Sequence, residues 1–216
     1  MRVEPIDDRP HLPDSEQWLE QWQFDFWSPD HDLGGWIHFT HNPLTKTGWY
    51  VAALIGTSRR LVLVVDPELR IGTLSPSMEF RAEAIWAQHV CETPLSHWTI
   101  GLEAFGVTLD DPADAFGNQW GKRTSVGLDL EWESNDDPQR TGHGFTQECV
   151  VNGEVLIDEE TIHIDTRGCR LRKWGSPPQK STTRPKTLAI PIRVGEHILE
   201  IEHDPLLGRW EGNLRM

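Results

Sequence analysis

A chain of 216 residues, 37% hydrophobic and 25% charged, has room for one all-β domain with a substantial buried core, or one domain with extensions. Its formal charge of −14, from 20 basic against 34 acidic residues, would repel phosphate backbones and anionic membrane faces, which argues against nucleic acid as a partner. No run approaches the roughly 18 consecutive apolar residues needed to cross a bilayer, so no membrane insertion is expected.

Residues 1–33 are acidic and proline-marked and read as an N-terminal extension packing on the domain that follows. Ser15 to Trp22 is its one helical candidate, because Ser15 can cap and Trp18, Leu19 and Trp22 share a helical face. From Gly34 to Met216 the pattern becomes that of one β domain. WIHFTH, GWYVAALIG and RRLVLVVD read as strands separated by NPLTKTG and GTS turns. Further strands are expected at Met78 to Ala84, Ser96 to Leu102, Phe105 to Leu109, Ser125 to Glu133, Phe145 to Val151, Val155 to Ile157, Thr161 to Asp165 and Cys169 to Arg172. After RLRKWGSPPQKSTTRPK, a Ser-, Thr- and Pro-rich solvated loop, come Thr187 to Val194 and His197 to His203, a hairpin across Gly195 and Glu196, and then Gly208 to Leu214.

So many short strands with almost no helix leave a closed antiparallel β-barrel or a two-sheet sandwich. In Ser125 to Glu133, Val126, Leu128, Leu130 and Trp132 point one way, and Asp129, Glu131 and Glu133 point the other. Leu61 to Val65 is apolar on both sides, so its outer surface needs a cover, for which the Trp-rich N-terminal segment is the candidate.

The unusual feature of the composition is 11 Trp against a single Tyr, which suits a bulky core or the lining of a cavity for a hydrophobic or ring-shaped ligand. Trp36, His38, Trp49, Trp132 and Trp174 are the candidate lining residues. No phosphate-cradling Gly-rich loop, paired CxxC or GxSxG turn occurs. His38 and His41, three apart on a strand, face opposite ways and cannot chelate one ion, so no metal or other cofactor is expected. Cys91, Cys149 and Cys169 lack close spacing and follow no leader-like start, which points to a reducing cytoplasm.

Gln147 shares an apolar strand face with Phe145, Cys149 and Val151, and His143 lies just before it. Together they are candidates to orient and titrate a ligand at a barrel mouth, with a satisfied core glutamine as the alternative. His163 and Asp165 share a face and form a second candidate pair. Asp129 and Glu131, about 7 Å apart along one strand, match the two carboxylates of β-sandwich glycosidases, although the Asp129 face reads as solvent-facing.

The ordered series FDFWSPDHDLGGWIHFTHNP, GWYVAALIG, TSVGLDLEWE, HGFTQ, VNGEVLIDEETIHIDTRG and RLRKWG resembles the lipocalin-like family of carotenoid hydratase (hydroxyneurosporene synthase) and AttH-like proteins, over roughly residues 22–175. The resemblance implies a lipocalin-like barrel holding terpenoid, polyketide or lipid-like molecules, with room here for one of the two barrels common in that family. It also implies an acid–base Asp and His in a stretch reading Arg-Asp-His-Ser-Trp-Gly. Arg170, Trp174 and Gly175 match that stretch, while Leu171, Arg172 and Lys173 replace the Asp, His and Ser. Arg170 and Arg172 are then left as anion or carbonyl contacts, since arginine does not shuttle protons near neutral pH.

The expected protein is a lipocalin-like all-β barrel with a short N-terminal helical segment. It binds a hydrophobic small molecule and performs cofactor-free hydration, dehydration, isomerisation or cyclisation, with His143, Gln147, Arg170 and Arg172 as catalytic candidates. A non-catalytic carrier and a glycosidase are the alternatives, and a homodimer is left open.

Overall fold

The computed structural model describes residues 2–56, 58–72, 77–111, 114 and 120–176, and the backbone of three further strands within residues 189–215. The strands are β1 (Leu19–Ser28), β2 (Leu33–Asn42), β3 (Thr47–Ile55), β4 (Val62–Arg70), β5 (Ser77–Ala82), β6 (Ile85–Thr93), β7 (His97–Leu109), β8 (Gly121–Glu133), β9 (Gln139–Arg140), β10 (Gly144–Ile157), β11 (Glu160–Gly175), β12 (Ala189–Val194), β13 (His197–Asp204) and β14 (Arg209–Arg215).

Hydrogen-bonded neighbours run β4-β3-β2-β1-β11-β10-β8-β7, all antiparallel, and β7 returns to β4 through Val62↔Thr108 and Leu63↔Val107. That last pairing closes a barrel-like ring, which removes the free edges that an open sheet would expose. Closure is confined to one end of β7. Along His97–Ala104 the same strand pairs instead with β6, and β5 hangs from β6, so among the described residues the β5–β6 hairpin joins the ring's ladders through β7. β12, β13 and β14 form a separate antiparallel sheet that comes up against β1 and β2. The 195–196 hairpin turn and most of the proline-rich loop lie outside the described residues.

Two sequence expectations fail at the ends of elements. Ser15–Trp22 is not helical: the chain enters β1 at Leu19, and the helical turns of residues 1–33 are short 3-10 turns at Pro5–Asp8 and Pro29–His31. The segment expected outside the barrel thus supplies a ring strand, with Glu20, Trp22, Phe24 and Phe26 inward between outward Gln21, Gln23 and Asp25. β6 was missed because two of its inward positions are Ala87 and His89, which blur the apolar alternation. Elsewhere, strands read as pairs of short pieces are single long ones. A side chain on Gly168 would collide with the Asp25 carbonyl, and Gly153, at φ 132°, lies as tightly against the Asp129 carbonyl. These glycines bend continuous strands where a neighbouring backbone passes close.

The ring interior is filled with side chains from every barrel strand. The Phe24 ring lies 5.5 Å from Trp98, 5.3 Å from Trp132 and 5.8 Å from His89, and Phe39 lies 4.1 Å from Phe80. Each such side chain contributes about 1.5–3 kcal/mol through burial. A second apolar cluster, including Trp36, Val51, Ala53 and Leu63, occupies the outer face of β2–β4, with Trp27 and Trp49 at its margin. β2 is therefore buried on both faces.

Candidate functional site

One barrel end is closed by the N-terminal segment through charges that are fully matched. Asp8, 1% exposed, accepts hydrogen bonds from Arg170 (2.8 and 3.1 Å), from the Trp98 indole (3.2 Å) and from the Leu95 amide (2.7 Å). Arg170 also donates to the Gln147 side-chain oxygen at 2.9 and 2.6 Å, while Gln147 donates to the carbonyls of Leu95 (2.8 Å) and Asp136 (2.7 Å). Beside them Arg172, 0% exposed, pairs with Glu20, donates to the carbonyls of Arg9, Gln21 and Lys173, and lies 3.9 Å over the Trp22 ring. Burial alone would raise the Glu20 carboxyl, but the His11 hydrogen bond and the Arg172 guanidinium hold it below its ordinary range. With each buried guanidinium paired to its own carboxylate and only the Arg172 Nε left without a partner among the described residues, the cluster offers little to a ligand and much to the closure of the barrel.

Deeper in the ring the balance reverses. His89 and Tyr50, both 0% exposed, sit with ring centres 5.6 Å apart among Phe24, Phe39 and Phe80. Among the described residues neither His89 nitrogen nor the Tyr50 hydroxyl has a hydrogen-bond partner; the same holds for both His41 nitrogens and the Trp22 indole nitrogen. Burial pushes the His89 imidazole down to about 3 and the Tyr50 phenol up, with no charged group contributing to either shift. Both stay neutral near pH 7, and a neutral imidazole and a phenol each offer one donor and one acceptor.

The other candidates scatter. His38 and His41 fall on opposite faces of β2, as their spacing requires. Trp36, His38 and Trp49 do come together, but on the outer face: His38 stacks on Trp49 at 4.5 Å, lies 4.9 Å from Trp36, and bonds Thr40 at 3.0 Å. Burial, assisted by Lys173, pushes His38 down to about 3. Thr40 and Trp49 also line an open groove of about 500 Å³ with Leu19, Asn42, Glu68 and Arg70. Trp132 is in the core and donates to the Asp25 carbonyl at 3.2 Å. His143 is exposed, and its carbonyl receives the Trp174 amide at 3.0 Å; Trp174 stacks on His11 at 4.3 Å. His143 and Gln147, expected to act together, do not meet: one faces water and the other is held by Arg170.

Asp129 and Glu131 are exposed on the outward face of β8, so no enclosed cleft surrounds them as glycosidase chemistry requires. Glu131 lies 3.4 Å from His97, and together with Glu133 they bring three possible metal-ligand atoms within 4.8 Å on that open surface. His163 pairs with Glu154 across the strands at 3.1 Å and not with Asp165 along its own strand. His89, Tyr50, Asp8 and Glu20 were missed by sequence reasoning. The one signal for Tyr50 was its being the only tyrosine of the chain, set within an apolar strand.

The fold has a counterpart among solved structures. The crystal structure of CghA superimposes with a TM-score of 0.51 at 12% identity over 97% of this chain. This chain spans 63% of the CghA chain, so the two share a fold over part of the larger protein. No curated protein matches. The family profile described as Domain of unknown function (DUF7064) matches residues 4–185, and the chain belongs to that family.

Proposed function

We propose that the barrel, its interior packed with side chains in this structure, admits a hydrophobic small molecule, of terpenoid, polyketide or lipid-like character, to that aromatic interior when the β5–β6 hairpin parts from the ring. The observation that carries this reading is the seam beside the β5–β6 hairpin. Among the described residues β5 has no ladder with β4, and the hairpin carries Met78, Phe80, Ile85 and His89 into the interior. An element bonded along one edge opens at lower cost than any other strand of the ring, and its opening would uncover the aromatic box. The resemblance to the carotenoid hydratase and AttH-like proteins supports the same ligand class.

Two functional forms follow from the chemistry of the interior. His89 is neutral and has no charged neighbour, and the charged groups of the barrel end are locked in pairs. Catalysis here would therefore come from confining a flexible guest in reactive geometry, as in a cofactor-free cyclisation or isomerisation, more readily than from hydration by proton transfer. The alternative is a carrier, favoured by the same lack of a titrating acid–base pair. Three free thiols accord with a reducing, cytoplasmic setting.

Titration with the neutral apolar fluorophore N-phenyl-1-naphthylamine tests the containment reading. Saturable binding that is competed by long-chain terpenoids supports it, and fluorescence that never saturates overturns it. Turnover of a bound terpenoid or polyketide then separates enzyme from carrier.

A further inference from the structure

We infer that the interior is built for a guest carrying an uncharged oxygen, a ketone, ester, amide or alcohol, whose oxygen is received by His89 and Tyr50. The inference rests on the containment reading and narrows it to a chemical class.

A buried donor or acceptor left without a partner costs about 1–3 kcal/mol, so a fold that buries His89 and Tyr50 together with no partner for either is incomplete as a polar network. The two rings meet edge to face with centres 5.6 Å apart, Tyr50 carried by β3 and His89 by the β6 strand of the one-edged hairpin, so parting of that hairpin from the ring would separate them and expose both to a guest. Phe24, Phe39 and Phe80 form the remaining walls and offer only apolar surface and ring faces.

The charge of the guest follows from what is not beside these groups. Burial accounts for the shifts of both His89 and Tyr50, and neither is paired with a charged side chain among the described residues. A carboxylate brought between them would lose its hydration with no countercharge to replace it, which costs several kcal/mol. The arginines that could have received an anion, Arg170 and Arg172, are already committed to Asp8 and Glu20. A neutral carbonyl or hydroxyl, by contrast, can accept from the phenol and exchange a hydrogen bond with the imidazole.

Displacement of bound N-phenyl-1-naphthylamine by 2-acetylnaphthalene, 2-ethylnaphthalene and 2-naphthoate at pH 8 tests this, because the three competitors share a ring system and differ in the polar group. In the native chain the ketone should displace the fluorophore at a concentration about tenfold below that of the hydrocarbon, with the carboxylate weaker than both. His89→Phe and Tyr50→Phe should each bring ketone and hydrocarbon to within about twofold, while the fluorophore itself binds as before. His89→Gln, which keeps a neutral donor and acceptor and removes the ring, should retain the ketone preference even if His89→Phe folds poorly. Equal displacement by ketone and hydrocarbon in the native chain, or a ketone preference that survives both phenylalanine variants, overturns the inference and leaves containment standing. Failure of the native chain to bind the fluorophore saturably overturns both.

Discussion

The two polar regions of this barrel are both buried, on different strands, yet solve opposite problems. At the end closed by the N-terminal segment, Asp8 receives four hydrogen bonds and each buried arginine has a carboxylate of its own. In the interior behind it, His89, Tyr50 and His41 are buried with no partner. Burial alone does not explain the contrast, because both sets are almost wholly shielded from solvent. Pairing does: in the first set every buried charge meets an opposite charge, with only single atoms such as the Arg172 Nε left over, which suits a structural closure, whereas in the second whole side chains are complete only when something else supplies hydrogen bonds.

The sharpest way to break this comparison is to remove one member of the saturated end. Asp8→Ala or Arg170→Met should destabilise the fold by about 3–5 kcal/mol in urea denaturation, because each strands a buried charge. The double variant Asp8→Leu with Arg170→Met should recover much of that loss. A single variant losing under about 1 kcal/mol would mean that the end is wet and the contrast false.

A smaller effect appears in acid. His89 and His38 are held neutral by burial, whereas in the unfolded chain they titrate near the ordinary histidine value of 6.5. The unfolded state therefore binds more protons below that pH, and stability should fall as pH drops from 6.5 towards 3, by up to about 1.4 kcal/mol per pH unit for each histidine. The depressed Glu20 carboxyl adds a further loss below the ordinary glutamate value of 4.5. Denaturation curves at pH 8, 6 and 5 measure the slope, and His89→Phe should lower it by the equivalent of one proton. An unchanged slope in that variant would show that His89 already titrates in the folded chain.

Without ligand, Tyr50→Phe should leave stability unchanged or raise it by about 1 kcal/mol, because it deletes a hydroxyl that no protein group receives. A loss of similar size would reveal a partner for the hydroxyl and remove one leg of the comparison. Smallest of all, Glu131→Gln on the outer face of β8 should alter stability by less than about 0.5 kcal/mol and leave fluorophore binding untouched. Loss of an activity on sugars in that variant would restore the glycosidase alternative.

Much of the architecture was readable before folding was considered. The alternation in Ser125–Glu133 assigned Val126, Leu128, Leu130 and Trp132 to one face, and all four are buried in the interior. β1 was obscured by a serine that also suits a helix cap, although Trp22, Phe24 and Phe26 already alternated with polar residues. β6 could not be found by apolar period, because its central inward residue is the histidine that matters most. The candidate site was less legible still. Gln147 was rightly singled out as a polar group on an apolar face, but its partner Arg170 lies 23 residues away and Asp8 a further 139 from Gln147. No local pattern encodes such pairings.

By itself the sequence determined strand character and, wherever one face is polar, which face turns inward, because side chains alternate strictly along an extended chain. Only the tertiary structure decided which side of β2 and β3 became the interior, since both sides are apolar and local preference does not choose between them. It likewise decided which buried polar groups were answered and which were not. That outcome depends on distances between strands far apart in the chain, and ring closure fixes those distances.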